Sequence, residues 1–325
     1  MLDTASYVKK QILFAFFCEG EKLAFLNDNV IIRDADGKIK HQSTCYRLFA
    51  LYVVGHTVIT TGLIQRANKF GFSIVLMTPG FRVYQVIGSR REGNTLLREI
   101  QYKYNSMEAP RHLIANKLHN QRETLNLQRQ KTDSVKKAID QLYLYESQLQ
   151  DCCDIASLMG VEGTAAKVYF LNHFNNVEWV RRAPRIKADW INSVLDVGYT
   201  ILFSLMESLL GIYGFDLYRG VLHKQFYMRK SLVCDLVEPF RSLIDIQIRK
   251  SINLGQFKID DFKLLNRQYQ LKWEKSSVYT KALLQALLER REDIFRYVQA
   301  YYRAFMRQKS IELFPAFYLE KADKT

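Results

Sequence analysis

Cysteine is scarce in this chain and poorly spaced for structural use. Five occur in 325 residues (Cys18, Cys45, Cys152, Cys153 and Cys234), an odd number with no C-x-x-C pair. That excludes a disulfide framework and a zinc ribbon and suits a reducing, cytoplasmic setting. Proline is equally rare, with five residues, and no internal repeat or low-complexity tract is present. Long apolar runs are missing too. The longest, Tyr199 to Tyr213, is broken by Glu207 and is too short to span a bilayer comfortably, so it reads as a buried helix and not as a membrane segment. The run Ile12 to Phe17 follows Lys9 and Lys10 but has no small-residue cleavage signal behind it, so it reads as a strand rather than a secretory signal. There is no G-x-S-x-G, Walker A, H-E-x-x-H or dinucleotide fingerprint, which removes the enzyme classes built on those motifs.

Acidic residues are outnumbered, 33 against 47 basic, for a formal charge of +14 and a pI near 9.4. The excess is spread along the chain and favours a polyanionic partner, although charge alone is weak evidence for nucleic acid. An apolar fraction of 48% over this length supplies a core for each of two domains. Short runs rich in β-branched and aromatic residues, Ile12 to Phe17, Val30 to Ile32, Leu48 to Val54, Ile74 to Met77 and Val83 to Ile87, predict strands. Asn27-Asp28-Asn29, Asp36-Gly37 and Pro79-Gly80 punctuate them as turns. Thr60 to Phe70, with Leu63, Ala67 and Phe70 at helical spacing, predicts one helix inserted among the strands. The polar, Gly-bounded segment 88–93 marks a junction, so residues 1–90 read as a strand-rich domain and 91–325 as a helical one. Residues 320–325 read as a frayed polar end.

Three segments of the helical region carry residues suited to chemistry. In Gly160-Val161-Glu162-Gly163, a helix places Glu162 on one face with Ala165, Ala166 and Tyr169, where a ligand could approach; a surface glutamate near a helix start fits the spacing as well. In Gly211 to His223, glycines interrupt a helical pattern just before His223, as in loops that position functional side chains, while a lone histidine there is also compatible with a surface role. In Ser231 to Arg241, Asp235 and Glu238 stand one helical turn apart, and paired carboxylates repel unless a cation relieves them. An exposed acidic face relieved by Arg241 is the alternative. Pro239 predicts a first helical turn or a kink beside this pair. Two carboxylates and an imidazole suit Mg²⁺ or Mn²⁺ better than a closed zinc site, and such an ion serves phosphodiester chemistry. Basic residues flank the segments: Arg181, Arg182, Arg185 and Lys187 on one side, and Arg219, Lys224, Arg229 and Lys230 around His223.

Together these segments resemble the CRISPR adaptation integrases, the family of near-universal CRISPR-associated proteins that insert new spacers into the repeat array. Gly160-x-Glu162-Gly163 with Tyr169-Phe170, Asn192 with Gly198-Tyr199, Gly220-x-Leu222-His223, and Asp235-Leu236-x-Glu238-x-Phe240-Arg241 carry the match in order and spacing. Thr60 to Leu63, Ile74 to Leu76, Asn94, Leu97-Arg98, Gln101, Lys117 and Asn120-Gln121 extend it through the first part of the chain. Lys187-Ala188-Asp189 stands where a Pro-Asp-Pro-like turn is expected. The resemblance implies an α+β protein, with an N-terminal β-sandwich-like dimerisation domain followed by an all-α catalytic domain. It implies one Mg²⁺ or Mn²⁺ held by Glu162, His223 and Glu238, with Asp235 hydrogen-bonding beside them. The implied reaction is attack of a 3′-hydroxyl of short double-stranded DNA, the prespacer, on a phosphodiester at the edge of a CRISPR repeat. A homodimer and a small ferredoxin-like partner protein are implied as well. A branched-DNA repair nuclease and a non-catalytic DNA-binding protein remain the rival readings.

Overall fold

The computed structural model describes residues 3–88, 93–179 and 181–319. Most of the segment read as a domain junction, and the polar end 320–325, lie outside them. The chain divides into two compact units, residues 1–95 with 204–215, and residues 96–203 with 216–325.

The first unit opens with a short helix, α1 (Thr4–Val8), followed by β1 (Gln11–Phe17), β2 (Lys22–Leu26), β3 (Asn29–Arg33), β4 (Ile39–Thr44) and β5 (Leu48–Gly55). Helix α2 (Thr61–Phe70) and strands β6 (Ser73–Met77) and β7 (Val83–Ile87) complete it. Two sheets form, ordered β1-β5-β6-β7 and β2-β3-β4. Every residue of β5 is buried, as expected of a strand with parallel neighbours on both edges, β1 and β6. The parallel step from β5 to β6 needs a crossover, and α2 provides it. Thr60 caps that helix by accepting from the Leu63 amide at 3.3 Å, and Gly71 closes it in the left-handed region at φ +71°. The β2–β3 hairpin turns on Asn27 and Asp28, both at positive φ. Val30 and Ile32 from one sheet share a core with Ala15, Leu51, Val53 and Ile74 from the other, the two-layer arrangement of a sandwich.

The second unit is built from α3 (Thr95–Lys103), α4 (Glu108–Asn126), α5 (Asp133–Gln148), α6 (Ile155–His173), α7 (Trp190–Tyr213), α8 (Ser231–Val237), α9 (Arg241–Asn253), α10 (Ser276–Glu289) and α11 (Arg291–Met306); residues 204–213 of α7 fall in the first unit. It also holds a hairpin, β8 (Phe262–Leu265) with β9 (Gln268–Leu271), which the expectation of an all-helical region omits. Its turn residues, Asn266 and Arg267, both take positive φ. Helix α7 is long and apolar enough by composition to cross a membrane, yet 72% of its apolar window is buried inside the fold. It is a core helix by packing.

An extended segment, residues 315–319, lies along α4. The Asn116 side chain donates to the Phe317 carbonyl at 2.6 Å and accepts from the Phe317 amide at 2.9 Å. The Asn120 amide donates to that carbonyl at 2.8 Å and to the Pro239 carbonyl at 2.9 Å, while its oxygen accepts from the Leu319 amide at 3.1 Å. Phe317 packs on Phe240, ring centroids 4.5 Å apart. A single buried asparagine therefore ties α4, the Glu238–Phe240 turn and the 315–319 segment together.

Candidate active site

Glu162 stands in the second turn of α6, whose start is fixed by Asp154 in a reciprocal cap with Ser157. A Cβ added at Gly160 or Gly163 would meet nothing within 4 Å, so the helix face beside Glu162 is open. Glycine costs a helix interior roughly 1 kcal/mol relative to alanine, and two of them leave room for a ligand. Glu238 sits where α8 passes through a single 3₁₀ turn into α9, with Pro239 in the first turn, where its missing donor costs nothing. It is almost fully buried.

The two glutamates meet at one cation. The Lys117 ammonium, on α4, pairs with Glu162 Oε1 and lies 2.7 Å from Glu238 Oε2. Arg241 holds the other oxygen, Glu238 Oε1, at 2.9 Å. Burial alone would raise the Glu238 carboxyl, but Arg241 and Lys117 outweigh it and hold it at about 2. Lys117 is also raised, its two glutamates exceeding the effect of burial. The Lys117 ammonium thus serves as the charged partner of the buried Glu238 Oε2 as well as of Glu162.

The depressed Glu238 carboxyl has a consequence for stability. Its folded value lies below the ordinary 4.5, so the stabilisation is fully present above pH 4.5 and is lost as pH falls through about 2. In chelator-treated protein, the advantage of the parent over Glu238→Gln in urea unfolding should shrink across that interval by on the order of 3 kcal/mol. A pH-independent difference would remove these ion pairs as its cause.

Asp235 has a different task from Glu238. Fully buried on α8, its carboxylate accepts from the backbone amides of Val221 (2.6 Å), Leu222 (3.0 Å) and His223 (2.9 Å). It also lies 2.7 Å from His223 Nδ1. With Nδ1 donating to a carboxylate, the imidazole lone pair resides on Nε2. His223 lies within electrostatic range of Glu238. Gly220 makes this possible: a Cβ there would lie 2.5 Å from Asp235 Oδ2 and 2.9 Å from the Ser231 carbonyl carbon. Gly220→Ala should therefore push the His223 loop off its carboxylate and lower turnover by about 10- to 100-fold, the usual cost of disturbing such a support. Steady-state rates beside an unchanged circular dichroism spectrum would check it.

Behind Glu238 lies a second buried network. Arg241 also covers the ring of Tyr199, 4.5 Å from its centroid. Tyr199 donates to Asp245 Oδ1 at 2.5 Å and Tyr169 to Oδ2 at 2.9 Å. Burial raises Asp245 to about 6 against those two hydroxyls. His173 Nε2 donates to the Asp245 carbonyl, 3.0 Å away, and burial lowers its pKa to about 3, so it is a neutral core histidine.

Of the predicted site residues, Glu162 and Glu238 converge directly, His223 stands near Glu238, and Asp235 supports His223. Among the described residues no three His, Cys, Asp or Glu side chains converge on one point, and Lys117 contacts both glutamates. Lys117 was not singled out for chemistry from the sequence. The available signal is that α4 buries Asn116, Lys117, Asn120, Gln121 and Thr124 among its leucines, too much polarity for an ordinary core face. Arg182 proves to be structural, bound to Asn192 Oδ1 at 2.8 Å and Asp196 Oδ1 at 2.6 Å. Arg181, Arg185 and Lys224 are exposed. Asp189, in the departing Lys187-Ala188-Asp189 turn, still caps α7, accepting from the Asn192 amide at 2.7 Å.

The donor set fits a divalent cation of the Mg²⁺ or Mn²⁺ type: two carboxylates already gathered around a positive charge, and an imidazole whose Nδ1 is held by Asp235, which leaves Nε2 for a ligand.

Residues 16–285 match the family model described as "CRISPR associated protein Cas1". A "CRISPR-associated endonuclease Cas1 1" of Thermodesulfovibrio yellowstonii is 27% identical over 311 residues, 88% of this chain and 95% of its own length. Among solved structures, a chain of a Cas6-RT-Cas1–Cas2 complex superposes with a TM-score of 0.80 at 22% identity, over 96% of this chain and 36% of that longer one. A casposase bound to integration product superposes with a TM-score of 0.79 at 17% identity, over 97% of this chain and 96% of that one. At these identities the structural likenesses establish the α+β fold.

Proposed function

Because the chain belongs to the Cas1 family, we propose that it is a metal-dependent DNA integrase and endonuclease that joins short duplex DNA into a CRISPR repeat. The observation that carries this reading is the convergence of Glu162 and Glu238 on one cation, beside an imidazole oriented by Asp235. Glu162, His223 and Glu238 would hold Mg²⁺ or Mn²⁺. When bound, such an ion stabilises charge on phosphate oxygens and acidifies a bound water or hydroxyl. The chain's own residues do the positioning. Asp235 fixes the histidine tautomer, Arg241 fixes Glu238, and the open face at Gly160 and Gly163 admits the DNA backbone. Exposed Arg181, Arg185 and Lys224 supply sequence-independent attraction for phosphate.

A 3′-hydroxyl as nucleophile gives joining, and water gives cleavage. The endonuclease name of the Thermodesulfovibrio relative supports the nuclease activity, and the casposase bound to integration product supports joining. The Cas1–Cas2 complex supports Cas2 as the small partner protein. We place the protein in the cytoplasm, as a homodimer through its strand-rich unit, where Tyr46, Val58 and Tyr84 are exposed. Light scattering at micromolar concentration should give twice the 38.2 kDa chain mass; a monomer would contradict the dimer.

The deciding experiment incubates the protein with a 3′-hydroxyl duplex and a supercoiled repeat plasmid in Mg²⁺ or Mn²⁺. Covalent joining of duplex to plasmid supports the integrase. Cleavage without joining favours a branched-DNA nuclease, and binding without either favours a non-catalytic DNA-binding protein.

A further inference from the structure

Glu162, Glu238, Lys117 and Arg241 form a group of two anions and two cations with no net charge before any metal arrives. The Lys117 side chain is about one-tenth exposed and that of Glu238 less than half of that, so solvent does little to screen the arrangement. A divalent cation entering this group leaves it with two surplus positive charges. Accommodation requires either that a cation leave or that an anion join. Arg241 cannot easily leave, because its guanidinium lies against the Tyr199 ring, and Tyr199 is in turn bound to Asp245. Lys117 differs. Its α-carbon is fixed, since Asn116 and Asn120 on either side anchor α4 to residues 315–319 and to Pro239. Its ammonium ends a flexible four-carbon stem.

We propose that Lys117 is an internal counterion that competes with the divalent cation for Glu162 and Glu238. Metal then binds tightly only when DNA phosphate draws the ammonium away. This rests on the metal-site reading above and adds a regulatory property to it: a DNA-free protein that holds its metal weakly, and reciprocal strengthening of metal and DNA binding. The same ammonium also relieves the repulsion between the two glutamates while metal is absent.

The test measures Mn²⁺ binding to full-length protein by electron paramagnetic resonance and calorimetry, with and without a duplex lacking the 3′-hydroxyl. Lys117→Gln should bind Mn²⁺ about tenfold or more tightly than the parent without DNA, and Lys117→Arg should not. The duplex should tighten Mn²⁺ binding by the parent severalfold and by Lys117→Gln much less. Metal-free Lys117→Gln should also melt below the parent and gain more from Mn²⁺. Equal affinities for parent and Lys117→Gln, with binding lost in Glu162→Gln, would overturn the counterion role and leave the metal site standing. No saturable Mn²⁺ binding by either protein would overturn both. If Lys117→Gln does not fold, the parent decides the matter, since Mn²⁺ affinity unaffected by duplex would overturn the coupling.

Discussion

Glu162→Ala is expected to lose DNA joining by about a thousandfold or more while its affinity for duplex DNA stays within about threefold of the parent. The size follows from removing a carboxylate where transition-state charge is offset, an effect of several kcal/mol in metal-assisted phosphodiester chemistry. The preserved affinity follows from where the phosphate contacts lie. In the proposed reading, exposed residues such as Arg181, Arg185 and Lys224 attract phosphate through charge and not through the glutamate site. Loss of a negative charge beside the DNA opposes binding even less. Parallel joining and gel-shift titrations check the division. Joint loss of joining and binding, in a variant with an intact circular dichroism spectrum, would count against it.

Asp235→Ala is expected to damage both stability and activity, with a larger loss of stability than Glu162→Ala. The parent carboxylate accepts three backbone amides and faces His223 Nδ1 from a fully buried position. Truncation leaves these donors without their acceptor, and each unmatched buried group costs roughly 1–3 kcal/mol. A loss of about 3 kcal/mol or more in urea unfolding is expected, with turnover reduced at least about a hundredfold because the imidazole loses its orientation. Asp235→Asn separates the two effects: its single oxygen still accepts some of the amides, so stability should recover more than rate. Normal melting of Asp235→Ala would refute the account. A near-normal rate in Glu238→Ala, beside a folded but inactive Asp235→Ala, would shift the metal-ligand role to Asp235.

What the sequence revealed and concealed follows from burial. Strands β3, β5 and β6 announce themselves through β-branched and aromatic runs because much of each is buried, and β1 and β7 show the same runs although fewer of their residues are. Strand β4 does not: Ile39, Lys40, His41 and Gln42 are all exposed, so no alternation of apolar and polar residues marks it. The parallel pairing of β5 with β1 and β6 is invisible to local pattern, being a contact between separate segments. In the site, Glu162, His223, Asp235 and Glu238 stand out because carboxylates and imidazole in short, glycine-marked segments suggest ligation. What distinguishes Asp235 from Glu238 is the path of residues 220–223, which no spacing encodes. Lys117 is concealed by its surroundings, since lysine on a long helix ordinarily lies in solvent.

The bond between Asn116 and Phe317 joins residues 201 positions apart, which has a bearing on how the protein folds. Forming it closes a loop of more than half the chain, and contacts of such separation are slow to form. Helices α4, α6 and α9 gain most of their hydrogen bonds locally and can appear early. The bond from Asn120 to the Pro239 carbonyl already sets α4 against the Glu238–Phe240 turn, and the frame is completed when residues 315–319 dock on α4. During synthesis those residues emerge after every side chain of the cation-binding group. The proposed site is thus synthesised before it is aligned, and a nascent chain carries Glu162, Asp235 and Glu238 for some time before residues 315–319 are available to pack on α4.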